Sequence, residues 1–178
     1  MRATTIARNY AEALFEIGES GGHTDHFADL IDAVAGAVET TPEAQAVLMS
    51  PRVPKAEKAR LLSAALKGAP RTFVLFLQAL VRRGRQRLLR EIATEYQALL
   101  DLKHNRVRAG VTLARPADSS LQKDIQAALS RQLGKEVLAV FHVDPEILGG
   151  TVVRIGERIH DGSVRRRMTK LRRQLISG

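Results

Sequence analysis

The spacing of the apolar residues changes once along this chain of 178 residues, near residues 104–107. Before that point apolar side chains recur every three or four residues, as Ile6, Tyr10 and Ala13 do, and this spacing predicts amphipathic helices. After it, apolar and polar or small residues alternate over residues 107–113, which is the period of a β-strand. The change predicts a helical domain followed by a mixed one.

Six helices are predicted in the first domain. The first covers residues 4–20 and ends at Ser20-Gly21-Gly22, and the second follows over residues 27–38. Thr41-Pro42 predicts a third helix with threonine as its cap and proline in its first turn. Pro54 and Pro70 are predicted to open the fourth and fifth helices in the same way. The sixth is expected at residues 88–104. The fifth helix is apolar nearly all round, which favours a place in the middle of a bundle.

The second domain reads as strand, helix, strand, strand, helix. Ser119 with Gln122 resembles a capping box that opens its first helix, and Gly134 ends that helix. Its inward side is expected to carry four residues: Leu121, Ile125, Ala128 and Leu129. Strands are predicted at residues 137–143 and 151–155, and a terminal helix from Ser163 onward.

The expected fold class is therefore mainly α, with an N-terminal six-helix bundle at residues 1–104 and a small α+β C-terminal domain at residues 105–178.

The uninterrupted apolar runs are at most five residues long, whereas a membrane span needs roughly 20. Charges at Arg2, Arg8 and Glu12 leave no room for the apolar part of a signal peptide. There is no cysteine, so disulfides and thiolate chemistry are excluded. We expect a soluble chain whose membrane association is indirect.

The net charge of +9 is unevenly distributed. Residues 1–50 hold two basic and eight acidic side chains, and residues 51–109 hold fourteen basic and four acidic ones. Such a division favours partners of both signs, although solvated helix faces also produce basic runs.

Residues that carry catalysis or bind cofactors are hard to find in this sequence. His23 and His26 flank an aspartate, but a structural zinc site normally has four ligands, and no further cluster is nearby in sequence. The one Gly-Lys pair, at Gly134, has leucine where a phosphate-binding loop requires glycine. No nucleophile lies in a recognisable setting. We therefore expect no catalytic, metal-binding or cofactor-binding residues, and no cofactor.

A basic cluster in the terminal helix leaves a nucleic-acid alternative open. It consists of Arg165, Arg166, Arg167, Lys170, Arg172 and Arg173. Phosphate binding needs little beyond such charge, but sequence-specific RNA domains usually add stacking aromatic residues. The terminal domain offers only Phe141. The alternative is a basic α+β RNA-binding protein with a helical extension.

The C-terminal region also carries a glycine-pair motif. It runs Asp144-Pro145-Glu146-Ile147-Leu148-Gly149-Gly150, then Val153-Arg154-Ile155-Gly156, then Asp161-Gly162-Ser163-Val164. Upstream lie Tyr10-Ala11-Glu12-Ala13-Leu14-Phe15, Ser50-Pro51 followed by Lys58, and Phe73 to Val81 followed by Gly84-Arg85. Nearly end to end, these segments resemble the delta subunit family of bacterial F-type ATP synthases, the counterpart of the mitochondrial oligomycin-sensitivity-conferring protein.

The resemblance implies a non-catalytic stator subunit of the proton-driven enzyme, at the cytoplasmic face of the bacterial membrane. It implies that N-terminal segments of α subunits bind between the first and fifth helices, that peripheral-stalk b subunits bind the C-terminal domain, and that no nucleic acid is a partner. On the first helix, Ile6, Tyr10, Leu14 and Ile17 are expected to face the core. The stripe of small residues beside them, Ala3, Ala7 and Ala11, fits either packing inside the bundle or the approach of such a segment. The partner-binding residues expected on this basis are Ala3, Ala7, Tyr10, Ala11, Leu14, Phe76, Leu77, Leu80, Gly149, Gly150, Arg165, Met168 and Leu171.

The terminal domain is expected to depend on its apolar residues more than on any single arginine. An exposed ion pair contributes only about 0.2–1 kcal/mol. We therefore predict that Val152, Ile155, Met168 and Leu171 matter more to its integrity or docking than Arg165 does.

Overall fold

The chain divides into two compact units, Met1–Leu100 and Asp101–Gly178. The computed structural model describes residues 2–156, 158–166 and 168, and it describes side chains from residue 4 onward. The division lies inside the sixth helix, whereas the sequence predicted it at the end of that helix. The first unit is helical and the second contains a small sheet, so the chain is mainly α with an α+β C-terminal part.

Helices are present at all six predicted places. They are α1 (Arg2–Gly21), α2 (Thr24–Thr40), α3 (Pro42–Met49), α4 (Lys55–Ala65), α5 (Arg71–Arg82) and α6 (Leu89–Lys103), with a one-turn 3₁₀ helix at Gln86–Leu88.

The predicted caps of three helices need correction. The Thr41 side chain makes no capping hydrogen bond, although Pro42 does open α3. Pro54 and Pro70 lie one position earlier than expected, as the residue before α4 and α5. Their extended ψ angles of 144° and 135° place them outside the helix. At that position a proline costs no helical hydrogen bond and still fixes the direction of the chain.

One apolar core lies among the helices of the first unit. The ring of Phe27 lies 5.4 Å from the ring of Phe73, and the buried hydroxyl of Tyr96 donates a 2.9 Å hydrogen bond to the carbonyl oxygen of Thr24. Helix α5 contributes five buried residues, Phe73, Phe76, Leu77, Leu80 and Val81. The sequence favoured a place in the middle of the bundle for α5. The structure instead leaves one face of this helix open to solvent, because Leu75 is 50% exposed.

The second unit consists of a four-stranded sheet, one fully described α-helix and a one-turn 3₁₀ helix at Pro145–Ile147. Its elements are β1 (Arg106–Leu113), α7 (Ser119–Leu133), β2 (Glu136–Val143), β3 (Thr151–Ile155) and β4 (Arg158–Asp161). The strand order is β2-β1-β3-β4, in which β1 and β2 are parallel and the other pairs are antiparallel. A parallel pair requires a long crossover, and α7 supplies it. Strand β4 was not predicted, because it contains a single apolar residue, Ile159.

Helix α7 packs on one face of this sheet. Ile125 and Leu129 lie against the buried side chains of β1, β2 and β3, as predicted. Leu121 and Ala128 are exposed, so their predicted inward position is wrong. The cap is also one residue earlier than expected, because the carboxylate of Asp118 accepts the backbone N–H of Leu121 at 2.8 Å.

Ser119 is therefore the first helical residue of α7, and the predicted capping box is not formed. Gln122, its expected partner, donates to the carbonyl oxygen of Ala117 instead. Gly134 ends the helix as predicted, in a left-handed conformation with φ of 64°.

Residues 164–166 and 168 are helical, in agreement with the start of the predicted terminal helix. Arg167 and residues 169–178, which include Leu171 and the rest of the basic cluster, lie outside the described residues.

Candidate docking surfaces

The small-residue stripe of α1 lies inside the first unit. Ala7, Ala11 and Leu14 have no exposed surface, and the side chain of Ala3 lies outside the described ones. Small side chains let neighbouring helices approach closely. Packing inside the unit therefore explains this stripe. In this conformation the three residues offer no side-chain surface to a partner.

The residues expected on α5 are buried in the same core. Leu77 and Leu80 are almost completely enclosed, and Phe76 retains only a small exposed edge. These residues pack in the core of the isolated chain, and contact of the predicted set with a partner stays a prediction. Of its members on α1 and α5, Tyr10 is the half-buried residue that reaches the surface.

A shallow apolar groove does exist beside these helices, one position around α1 from the alanine stripe. It encloses ≈ 300 Å³ and is lined by Ile6, Asn9, Tyr10 and Ala13 of α1 and by Arg83, the residue that follows α5. The ring of Tyr10 stands edge-on to the ring of Phe76, with centroids 6.3 Å apart and planes at 73°. This edge-to-face contact is a favourable aromatic geometry, and it fixes the wall of the groove between the two helices.

The two stripes of α1 differ in burial. Of the four residues expected to face the core, Leu14 is fully buried, whereas Ile6, Tyr10 and Ile17 are half-buried. Ala7 and Ala11 of the small-residue stripe are fully enclosed, which agrees with packing inside the bundle. Ala13 and Arg83 were not identified as surface residues of the groove. The spacing of Ile6, Tyr10 and Ala13 was visible, but the contribution of Arg83 depends on the arrangement of two helices.

The glycine pair of the second unit occupies a tight crossing of two backbone segments. A Cβ atom on Gly150 would lie 2.5 Å from the carbonyl oxygen of Gly162, and Gly150 has a φ of +80°. The backbone N–H of Val164 donates to the carbonyl oxygen of Gly149 at 3.0 Å, and that of Gly162 donates to Thr151 at 2.9 Å. The motif therefore holds the start of the terminal helix against β3. A direct contact of Gly149 or Gly150 with a partner stays a prediction.

The described part of the terminal helix carries exposed side chains. Met168 is 58% exposed, and Arg165 forms a loose ion pair with Glu146 at 3.4 Å. Asp161 turns the chain into this helix, and hydrogen bonds from the hydroxyl and backbone N–H of Ser163 lower the pKa of its carboxyl group. Met168 and Arg165 are accessible to a partner, and their role stays a prediction.

A larger cleft opens between α7 and the β3–β4 edge of the second unit. It encloses ≈ 590 Å³, with apolar side chains such as Leu129, Val153 and Ile155 inside and polar ones such as Asp161 and Arg166 at its margin. The cleft was missed because it requires β4, the strand that the apolar pattern did not reveal.

Other functions receive little support from the described residues. They contain no group of three or more histidine and carboxylate side chains that could hold a metal ion. Phe141, the aromatic residue that the terminal domain offers for base stacking, is half-buried against the core of the second unit. None of the described helices is both long and apolar enough to pass through a lipid bilayer.

Comparison with known proteins identifies the family. The family described as ATP synthase delta (OSCP) subunit matches residues 6–175. The ATP synthase subunit delta of Gemmatimonas aurantiaca is 40% identical over 176 residues, covering 98% of this chain and 95% of that protein. The corresponding subunit of Desulforamulus reducens is 36% identical over 173 residues, covering 97% and 96%.

Among solved structures, a chain of the Toxoplasma gondii mitochondrial ATP synthase hexamer has the same fold. The TM-score is 0.71 at 22% identity, over 96% of this chain and 97% of that chain. The match of the family over nearly the whole length, together with relatives well above 30% identity, shows that the chain belongs to the ATP synthase delta (OSCP) subunit family.

Proposed function

We propose that the chain is a structural stator subunit of an F-type proton-translocating ATP synthase. It joins the catalytic head to the peripheral stalk and holds the head still while the rotor turns, so that rotation drives ATP synthesis. The observation that carries this proposal is membership of the delta subunit family over residues 6–175. The chemistry takes place in other subunits, and this chain transmits force without catalysing a reaction.

The helical unit acts as a six-helix bundle that binds the head. Its groove between α1 and α5 receives the apolar face of an N-terminal helix of an α subunit, a helix-in-groove contact. The support is geometric, since Ile6, Tyr10 and Ala13 lie at helical spacing along one wall and remain accessible. A space of ≈ 300 Å³ suits a few side chains from one face of a helix.

The second unit binds the ends of the b subunits. The cleft beside α7 combines an apolar interior with a charged margin, which is the usual composition of a protein-binding surface. Attachment to the membrane, at its cytoplasmic face, is then indirect and passes through the b subunits.

The combined attachment must withstand torque. Each apolar side chain buried from a partner contributes about 1.5–3 kcal/mol of gross free energy, and association and ordering consume much of the total. One groove therefore binds a single segment only moderately. Two units that bind different subunits of one complex strengthen each other by raising the effective concentration of the second contact.

A binding measurement with a matched control tests the head contact. The probe is a synthetic peptide of about 25 residues from the N-terminus of the α subunit of the same organism, a length that suits an amphipathic helix. Ala13 is exposed and lines the groove, whereas Ala33 is exposed on α2 and does not line it. We expect Ala13→Gln to weaken binding about tenfold or more because its side chain fills the groove, and Ala33→Gln to leave it unchanged.

Absence of peptide binding to the wild-type chain would contradict the proposed head contact. Co-purification of the full chain with α, β and b subunits tests the stator role as a whole. Salt-sensitive recovery of nucleic acid in their place would favour the RNA-binding alternative.

A further inference from the structure

The groove between α1 and α5 is mainly apolar but carries a positive charge at one end. Arg83 is the charged residue among its five lining residues, and its side chain is exposed. Among the described residues, no carboxylate forms an ion pair with it. Three further exposed arginines follow α5 or end it: Arg82, Arg85 and Arg87.

The position of Arg83 along the groove follows from three contacts. The rings of Tyr10 and Phe76 meet near the middle of α1. Toward the end of α1, Gly18 lies against Phe27, which in turn contacts Phe73 at the start of α5. The two helices are therefore antiparallel, and Arg83, two turns beyond Phe76, lies at the end of the groove where α1 begins, near Ile6.

We propose that the segment that docks in this groove carries a carboxylate at the end that lies over Ile6, and that Arg83 pairs with it. The inference rests on the proposed function and adds the chemistry and orientation of the partner. A helix that covers the groove removes water from around the guanidinium of Arg83, and a desolvated charge that stays unpaired opposes binding. An acidic side chain on the partner removes this cost and selects one direction of docking.

The Glu12 carboxylate of α1 is already paired with Arg8 at 3.0 Å. Nearby arginines that do not line the groove strengthen the positive potential, but they do not determine where the partner's carboxylate binds. An apolar helix with an acidic residue at one end fits both the wall and the charged end of the groove, whereas a basic helix would be repelled from that end.

The test is a charge-reversal cycle with the full chain and the α-subunit peptide. Arg83→Glu is compared with Arg87→Glu, which makes the same change of charge nearby on a residue that does not line the groove. We expect Arg83→Glu to weaken binding about tenfold at low salt, and Arg87→Glu to weaken it no more than about threefold, through the general field alone. Circular dichroism melting curves confirm that both variants remain folded.

Each acidic residue of the peptide is then replaced in turn by lysine. One of these peptides should bind Arg83→Glu more tightly than it binds the wild-type chain, and the position of that residue in the peptide identifies the end over Ile6. Equal effects of Arg83→Glu and Arg87→Glu, or an absence of rescue by every lysine peptide, would overturn this inference and leave the head contact intact. Failure of the unchanged peptide to bind the wild-type chain would instead remove the proposed head contact on which it rests.

Discussion

Gly150 and Gly162 approach so closely that no side chain fits between them. A Cβ atom on Gly150 would lie 2.5 Å from the carbonyl oxygen of Gly162, and the backbone of Gly150 has a φ of +80°, which side chains disfavour. The neighbouring hydrogen bond from Val164 to Gly149 fixes the start of the terminal helix. The glycine pair thus joins β3 to the last described turn of the chain.

Replacing Gly150 by alanine is expected to destabilise the second unit by about 2–4 kcal/mol, because backbone strain and a steric clash act together. Gly134→Ala is the matched control, since Gly134 has a φ of +64° but a Cβ atom added there would meet no atom within 4 Å, and it should lose only about 1–2 kcal/mol. Unfolding in denaturant, monitored by hydrogen exchange of the β-strand amides, measures the difference in the free energy of unfolding. Equal losses for the two variants would show that the backbone crossing is unimportant.

Tyr96 couples the stability of the first unit to alkaline pH. Burial, with a smaller contribution from the charges of Asp25 and Glu19, raises the pKa of its hydroxyl group above the ordinary value of about 10. The unfolded chain therefore releases this proton at lower pH than the folded chain, so stability falls as the pH rises above about 10. Tyr96→Phe should make that fall less steep.

At neutral pH the same variant loses the 2.9 Å hydrogen bond to Thr24, which costs about 1 kcal/mol. Urea unfolding of both proteins between pH 7 and pH 11 checks the two effects together. Parallel stability curves for Tyr96→Phe and the wild type would contradict the assignment of the alkaline change to Tyr96.

Arg90 joins α2 and α6 at the surface of the first unit. Its guanidinium bonds to Glu39 with two 2.7–2.9 Å contacts and to Asp32 at 2.7 Å. The hydrogen bonds from Arg90 lower the pKa of the Glu39 carboxyl group. The stability from this group is present above the unfolded pKa of about 4.3 and is lost as the pH falls through the lower folded pKa.

Arg90→Gln should thus lower stability at pH 7 slightly, lower it less at high salt, and flatten the acid side of the stability curve. Arg60→Gln is a suitable control, because Arg60 forms its ion pair within one turn of α4, with Glu57. Thermal unfolding at low and high salt measures the contrast. An equal effect of the two substitutions would show that the ion pairs between α2 and α6 add nothing to the stability of the first unit.

The sequence predicted element positions better than it predicted surfaces. Helix periodicity and the prolines before α4 and α5 locate the helices because these signals are local. Strand β4 was not predicted because its one apolar residue, Ile159, cannot form a pattern of alternating apolar and polar residues. The cap of α7 was misplaced because Asp118 and Ser119 are both good capping residues, and only the conformation of the backbone selects between them.

The surfaces depend on arrangements that a single sequence does not specify. Both stripes of α1, one through Ala7 and Ala11 and one through Ile6 and Tyr10, have the spacing of a buried helical face. Periodicity alone does not rank them. The neighbours of α1 decide, since a helix that approaches closely requires small residues at the contact, and the larger side chains are then displaced toward the groove.

Ala11 provides the decisive test of that ranking. Because its side chain is fully enclosed, Ala11→Leu should overpack the core and destabilise the first unit by about 1–3 kcal/mol. Ala13→Leu, two positions along the same helix, adds the same atoms at an exposed position and should leave stability nearly unchanged. Thermal and urea unfolding measure both. If instead Ala11→Leu left stability unchanged and weakened binding of the α-subunit peptide, the alanine stripe would be the contact surface, and the groove beside Tyr10 would not.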